Sequence, residues 1–341
     1  MTTQRLDLIR EQILGHRRTV GALDERLAPG PDALRRAAWA GLQDSMPRAA
    51  LLSIHARVEG IEPETLEDPS LVQVWGPRFS AYVIAAEDRA VFTLGRSPDD
   101  PGRRQRGERL ADRLEAFLDG RRMPYGEAGR GLGVPPNALR YAAPTGRLLI
   151  RWDGARQPVI WTAPTPDVVP VEAREELARR YLHVFGPATS AGFAAWAGLR
   201  PTQSRATFDA IVDALIPVRT PIGDAWILGS DESTFRAPRS APTGIVRLLP
   251  SGDAYFLLQG ADRELLVPDA ARRGELWTPR VWPGGVLASG EVVGIWRRAD
   301  ANVTIRTWRW LTTRERHGVE AEAASLPLPG LDGSIRVRWD D

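Results

Sequence analysis

The chain has 341 residues, 43% of them hydrophobic and 26% charged, an ordinary globular composition with room for a sizeable core in roughly two to four modules. Cysteine is absent and all 45 basic residues are arginine, which excludes disulfides, thiol nucleophiles, cysteine-ligated zinc, Schiff bases on a side-chain amine and a phosphate-loop lysine. A net charge of +2 is no polycation, so affinity for nucleic acid has to come from local arginine clusters such as Arg103-Arg104, Arg121-Arg122, Arg272-Arg273 and Arg297-Arg298. The four histidines are scattered and form no metal-ligand spacing, no run approaches a membrane span, and the first residues lack an apolar signal core. A soluble cytoplasmic protein without metal or cofactor is expected.

In chain order, Leu6, Ile9, Ile13 and Leu14 form one helical stripe, and Pro31 opens a second helix with Leu34, Ala38 and Leu42 inward. A third helix is predicted over 48–58. Residues 72–75 and 79–84, separated by Gly76-Pro77, read as a strand pair. Three helices and then a hairpin is the winged-helix order. The Pro/Gly/Arg-rich stretch 96–107 reads as a linker. The order then repeats: helices at 108–118, 125–132 and 135–141, and a hairpin of 148–152 and 158–161 turned by Asp153-Gly154. A third round has helices at 172–185, 190–197 (Ser190 as N-cap) and 202–215, with a wing of 216–219 and 225–228. From 238 the pattern changes to short strands at 245–249, 255–258, 285–287, 292–297 and 303–308, with helices at 270–273 and 312–324 and a last strand at 334–339. The expected fold class is α+β: winged-helix domains at 1–96, 107–165 and 170–230, then a small C-terminal β-barrel with a helix at 238–341.

Gln43, Asp44 and Ser45 place an amide, a carboxylate and a hydroxyl in a row where the second helix closes, before a restart through Pro47. Small polar groups at a break between two apolar helices suit holding a water or a ligand. On a helix Asp44 would point about 100° away from Ser45. Tandem helix-turn-helix units point to duplex DNA, with Arg140, Arg147 and Arg151 in the second unit and Arg200 and Arg205 in the third as phosphate contacts. The first hairpin carries Trp75, Arg78, Phe79, Ser80 and Tyr82, and an aromatic, arginine-bearing hairpin can enter a minor groove and wedge a base step. Trp75 and Phe79 read equally well as core. Arg48 and Ser80 complete the expected DNA-contacting set.

Several local runs accompany this order of elements. They are Gly41-Leu42-Gln43 followed by Pro47-Arg48-Ala49-Ala50, Ala85-Ala86-Glu87-Asp88, and Phe185-Gly186-Pro187-Ala188-Thr189 leading to Trp196-Ala197-Gly198-Leu199. Asp262-Arg263-Glu264-Leu265-Leu266-Val267-Pro268 and Val292-Val293-Gly294-Ile295-Trp296-Arg297-Arg298 follow. Over nearly the whole chain this resembles the winged-helix alkylpurine DNA glycosylases of the AlkZ/YcaQ type. The resemblance implies tandem winged helices and a small barrel in a C shape. It implies hydrolysis of the N-glycosidic bond of N7- or N3-alkylated purines, or of interstrand crosslinks, by a monofunctional enzyme acting on duplex DNA. The family positions its water with Gln-x-Gln or Gln-x-Asp; here Gln43 matches the first place and Ser45 occupies the second, with Asp44 between them. The family's Thr-x-His is Ser80-Ala81-Tyr82. A monomer binding double-stranded DNA is expected. The alternative is a non-catalytic winged-helix DNA-binding protein, a lesion sensor or regulator. A Gln43 buried against the core, with Asp44 paired to Arg48, would favour it.

Overall fold

The structure, a computed structural model, describes residues 5–46, 48–152, 156–237, 240–328 and 334–340. Pro47 and the Asp153-Gly154 turn lie outside the described residues. The first block runs β1 (Leu6–Asp7), α1 (Arg10–Val20), α2 (Pro31–Ala37), β2 (Leu42–Gln43) and α3 (Ala49–His55), and ends in β3 (Leu71–Trp75) and β4 (Ala81–Ala85). Next come α4 (Arg89–Thr93), α5 (Pro101–Leu118), β5 (Met123–Pro124), α6 (Tyr125–Gly131), a 3-10 helix over Pro136–Thr145, and the hairpin β6 (Leu148–Arg151) and β7 (Val159–Thr162). The third block is α7 (Pro170–Phe185), α8 (Ser190–Ala197), α9 (Pro201–Ala210), β8 (Leu215–Thr220), β9 (Gly223–Leu228) and α10 (Glu232–Arg236). The last is β10 (Val246–Leu249), α11 (Asp262–Leu266), α12 (Ala270–Leu276), β11 (Gly284–Ala288), β12 (Glu291–Ala299), β13 (Asn302–Thr307), α13 (Thr313–Ala324) and β14 (Arg336–Trp339).

Local chemistry explains most boundaries and corrects several expected ones. The stretch expected as a linker opens α5: Asp100 accepts from the Arg103 N–H at the N-cap and Pro101 stands at the first helical position. Proline there starts a helix rather than breaking one. Thr189, not Ser190, caps α8, accepting from the Gly192 N–H at 3.0 Å. The helix expected to reach residue 215 ends at Ala210, because Leu215 already pairs with Leu228. Leu6 belongs to no helix; it lies parallel to Val218 in β1. The expected strand at 255–258 contains a 3-10 turn, Ala254–Phe256, capped by Asp253.

Among the described residues the strands form three sheets. β2-β4-β3-β6-β7-β5 joins the first two hairpins into one six-stranded sheet, with Gln73 opposite Ile150 at the junction. β1-β8-β9 ties the start of the chain to the third hairpin. The C-terminal sheet runs β10-β11-β12-β13-β14 with β10 and β14 as edges, so it is open and no closed barrel is found. The largest core groups Tyr181, Phe185, Phe193, Trp196 and Phe208 of α7 to α9 with Tyr82 and Phe92 of the first block. No helix among the described residues is long and apolar enough to cross a membrane.

Candidate active site

β2 is short, yet it sets the local geometry. The helix expected to carry Gln43 ends at Ala37, and Gly41, at φ +71°, turns the chain so that Leu42 and Gln43 pair with Val83 and Tyr82 of β4. The Asp44 N–H continues the ladder to the Ala81 carbonyl at 2.8 Å. Along extended chain alternate side chains share a face, so Gln43 and Ser45 fall together and Asp44 opposes them. Burial follows that alternation: Gln43 and Ser45 are half-buried, while Asp44 is 3% exposed.

Asp44 faces inward and joins elements. One carboxylate oxygen accepts from the Ala50 N–H at 3.0 Å, in the first turn of α3, where Arg48 at the cap supplies no side-chain bond. The other oxygen accepts from Gln73 Nε2. Gln73 is itself buried, accepting from the Trp152 N–H at 2.6 Å just beyond β6. Burial pushes the Asp44 carboxyl up to about 6, opposed by the Ala50 N–H, the nearby Arg48 charge and Gln73. No ion pair joins Asp44 to Arg48 among the described residues.

Gln43 Oε1 accepts from Arg78 at 3.1 Å, and the same guanidinium donates to the Trp196 carbonyl at 3.0 Å, at the end of α8. A cation at a helix C-terminus is favoured there. Arg78 and Phe79 take left-handed backbone angles, φ 54° and 57°, which aim the Arg78 side chain back across the hairpin. Close approach makes the docking possible, since a Cβ on Gly198 would stand 3.2 Å from the Arg78 backbone. Behind the hairpin, buried Arg96 donates to the Trp75 and Ala197 carbonyls at 3.0 and 3.1 Å and lies over the Phe79 ring. Burial lowers its pKa to about 10.

A cleft of about 490 Å³ lies beside this contact, lined by Ser45, Arg78 and Ser80 from the first block and by Tyr125, Arg140 and Trp152 from the second. Arg140 sits 5.6 Å over the Trp75 ring. The structure therefore gathers Ser45, Arg78, Ser80 and Arg140, with Gln43 reaching the cleft through Arg78. Other expected residues lie elsewhere. Tyr82 is fully buried beneath β2, with its hydroxyl pushed up to about 12 by burial, so it is core rather than a groove contact. Arg147 is held by Asp112 and Glu115 of α5, and Arg151 by the Leu66 carbonyl and Glu67, which neutralises both cations. Arg200 and Arg205 are exposed at α9, outside the cleft lining, and Arg48 is half-buried ahead of α3. Gln73, the cleft residues Tyr125 and Trp152, and Gly252, where a Cβ would stand 3.4 Å from the Gln43 amide, are not among the residues the sequence singles out. A lone amide inside an apolar strand was the available signal for Gln73; the others are brought in by tertiary contacts.

The fold and cleft define an arginine-rich α+β protein whose first two hairpins share a sheet beside a half-buried glutamine. A family model described as DNA glycosylase AlkZ-like matches residues 35–327, and the chain belongs to that family. Over 182 residues it is 30% identical to the interstrand DNA cross-link repair glycosylase of Streptomyces sahachiroi, a match covering 51% of this chain and 46% of that protein. The matched segment thus spans about half the length of that curated relative. The solved structure of Streptomyces sahachiroi DNA glycosylase AlkZ superimposes with a TM-score of 0.80 over 98% of this chain and 100% of that one. At 19% identity that likeness concerns the fold.

Proposed function

We propose that the protein is a monofunctional DNA glycosylase that hydrolyses the N-glycosidic bond of N7- or N3-alkylated purines, or of interstrand crosslinks, in duplex DNA. The three helix-then-hairpin blocks are read as winged-helix units at 1–96, 107–165 and 170–230, arranged in a C around the duplex, and the chain acts as a monomer in the cytoplasm. The observation that carries the reading is the Gln43–Arg78 contact beside an arginine-lined cleft, with Gln43 and Ser45 on one face of the chain.

Alkylation at N7 or N3 leaves the purine cationic, so when the C1′–N9 bond breaks its electron pair neutralises the departing base. The sugar becomes an oxocarbenium ion, water attacks C1′, and the water's proton passes to solvent. The protein's share is to hold that water and favour the developing charge. Gln43 Oε1 keeps one lone pair free after accepting from Arg78 and takes the water there. The Ser45 hydroxyl, two residues on, supplies the second contact from the place where the family has Gln or Asp. Asp44 touches neither; it is a positioning residue that fixes β2 against α3 and β3. Arg78, Ser80 and Arg140 hold phosphates of the damaged strand.

The test is single-turnover release of N7-methylguanine from an alkylated duplex. Gln43→Ala is expected to lose about 10²- to 10³-fold, the usual effect of removing one placed polar contact in a transition state. Absence of release by the wild type, with salt-sensitive duplex binding retained, would overturn the reading in favour of a non-catalytic lesion sensor or regulator.

A further inference from the structure

The open C-terminal sheet presents a second basic surface, remote in sequence from the cleft. Val303 and Ile305 of β13 are buried beneath the sheet with Val319 and Ala323 of α13. Their alternates Thr304 and Arg306 are exposed, as are Arg336 and Arg338 of β14. The register sets Arg297, Thr304 and Arg338 in one row across three strands. Residues 297–316 and 334–340 carry eight arginines against three carboxylates, in a chain whose net charge is only +2. Arg336 and Arg338 have no ion pair among the described residues.

Aromatics sit where β13 and β14 run out. A groove of about 370 Å³ is lined there by Trp308, Trp310 and Trp339 together with Arg306, Arg309 and Arg316. Trp308 is anchored through its indole N–H to Glu275 at 3.2 Å, and Arg316 lies 4.2 Å over the Trp339 ring. Trp310 has no such role: it is 90% exposed. Trp310 is not a scattered apolar residue: it shares one arginine-lined groove with Trp308 and Trp339, the aromatic-and-cation arrangement of a base-stacking platform.

We propose that this face binds single-stranded nucleic acid, with Trp310 stacking on an unpaired base and Arg336 and Arg338 following the phosphates, while Arg306, ion-paired with Glu275 at 3.6 Å, frames the groove. Charge selects a polyanion, and the indole selects one with free base faces. An intact duplex keeps those faces stacked, and an acidic protein has none.

Binding of oligothymidylate tests this, because it contains no purine to engage the glycosylase cleft. Trp310→Ala is expected to weaken it about tenfold and to have no effect on an abasic backbone of the same length. The double variant Arg336→Gln/Arg338→Gln is expected to reduce the slope of log affinity against log salt by about 1.4, two phosphate contacts on a single strand. Both variants should melt with the wild type and release N7-methylguanine from duplex at the wild-type rate. Equal binding of oligothymidylate by Trp310→Ala and wild type would overturn the proposal. So would displacement by polyglutamate as effective as displacement by oligothymidylate, which would point to an acidic protein partner.

Discussion

A carboxylate that is 3% exposed opposes ionisation, and Asp44 does so next to the proposed water-binding amide. Its folded value of about 6 stands above the ordinary 3.8, so between those pH values the folded chain keeps a proton that the unfolded chain has released. That contribution to stability is present in acid and is lost as pH rises towards about 6. Two histidines act in the opposite sense. His16 is enclosed between Thr234 Oγ1 at 2.6 Å and the His183 carbonyl at 2.9 Å, and burial lowers it to about 4; burial and the Arg26 charge lower His55 to about 4. Their stabilisation is complete above 6.5 and is lost as pH falls towards 4. At about 1.4 kcal/mol per pKa unit, two histidines outweigh one aspartate. The melting temperature is therefore expected to fall between pH 6.5 and 4, and to fall more steeply in Asp44→Asn, which lacks the opposing term. Parallel melting curves against pH for the two proteins would sink this account.

At the scale of elements, the placement of Gln43 depends on a loop from another part of the chain. Asp253, fully buried, accepts from both terminal nitrogens of Arg57 at 2.7 Å and from the Ser53 hydroxyl at 2.7 Å, locking the turn after β10 onto α3. Within that turn Gly252, at φ +77°, backs the Gln43 amide, and a Cβ there would stand 3.4 Å from Nε2. Gly260, at φ +54°, has open space around it. Alanine at either position should cost about 1–2 kcal/mol for the left-handed backbone. Only Gly252→Ala is expected to lower N7-methylguanine release as well. Equal rates for the two variants would show that the turn does not position Gln43. The buried Arg57–Asp253 pair predicts a larger loss, about 3–5 kcal/mol for Asp253→Ala, read by denaturant unfolding.

Across the whole molecule, arginine does the cross-linking that a lysine-free chain cannot share with a second cation. Asp88 takes Arg35 of α2 and Arg180 of α7 at once, at 2.9 and 2.7 Å, while both guanidinium groups lie over the Trp39 ring. Arg17 of α1 donates to the Phe185 carbonyl of α7, and Arg26 holds Glu322 of α13. Such sites need the planar fork: Arg180→Lys keeps the charge and loses the paired geometry and the stacking. It is expected to cost about 1–3 kcal/mol. Arg103→Lys, on the exposed side of α5, is expected to cost nothing measurable, and equal denaturation midpoints for the two variants would refute the distinction.

What the sequence by itself determined is largely local. Pro31 marks where α2 begins, the helix-then-hairpin order repeats, and the family runs name the class, because each of these signals sits within a few residues of the element it specifies; the same proline signal at Pro101, set among glycines and arginines, reads as a linker although it opens α5. Gln43, Ser45, Arg78, Ser80 and Arg140 were legible as candidates on that basis. The tertiary structure decided what lies between blocks. The pairing of Leu42–Gln43 with β4 replaced a helical period by an extended one, turning Asp44 into the core and leaving Gln43 and Ser45 on the face away from it. The carboxylates that neutralise Arg147 and Arg151 come from 32 to 84 positions away, and the glycine behind Gln43 from the turn after β10. Contacts of that span leave no periodicity to read; they exist only once the hairpins share a sheet and the arginines have found their partners.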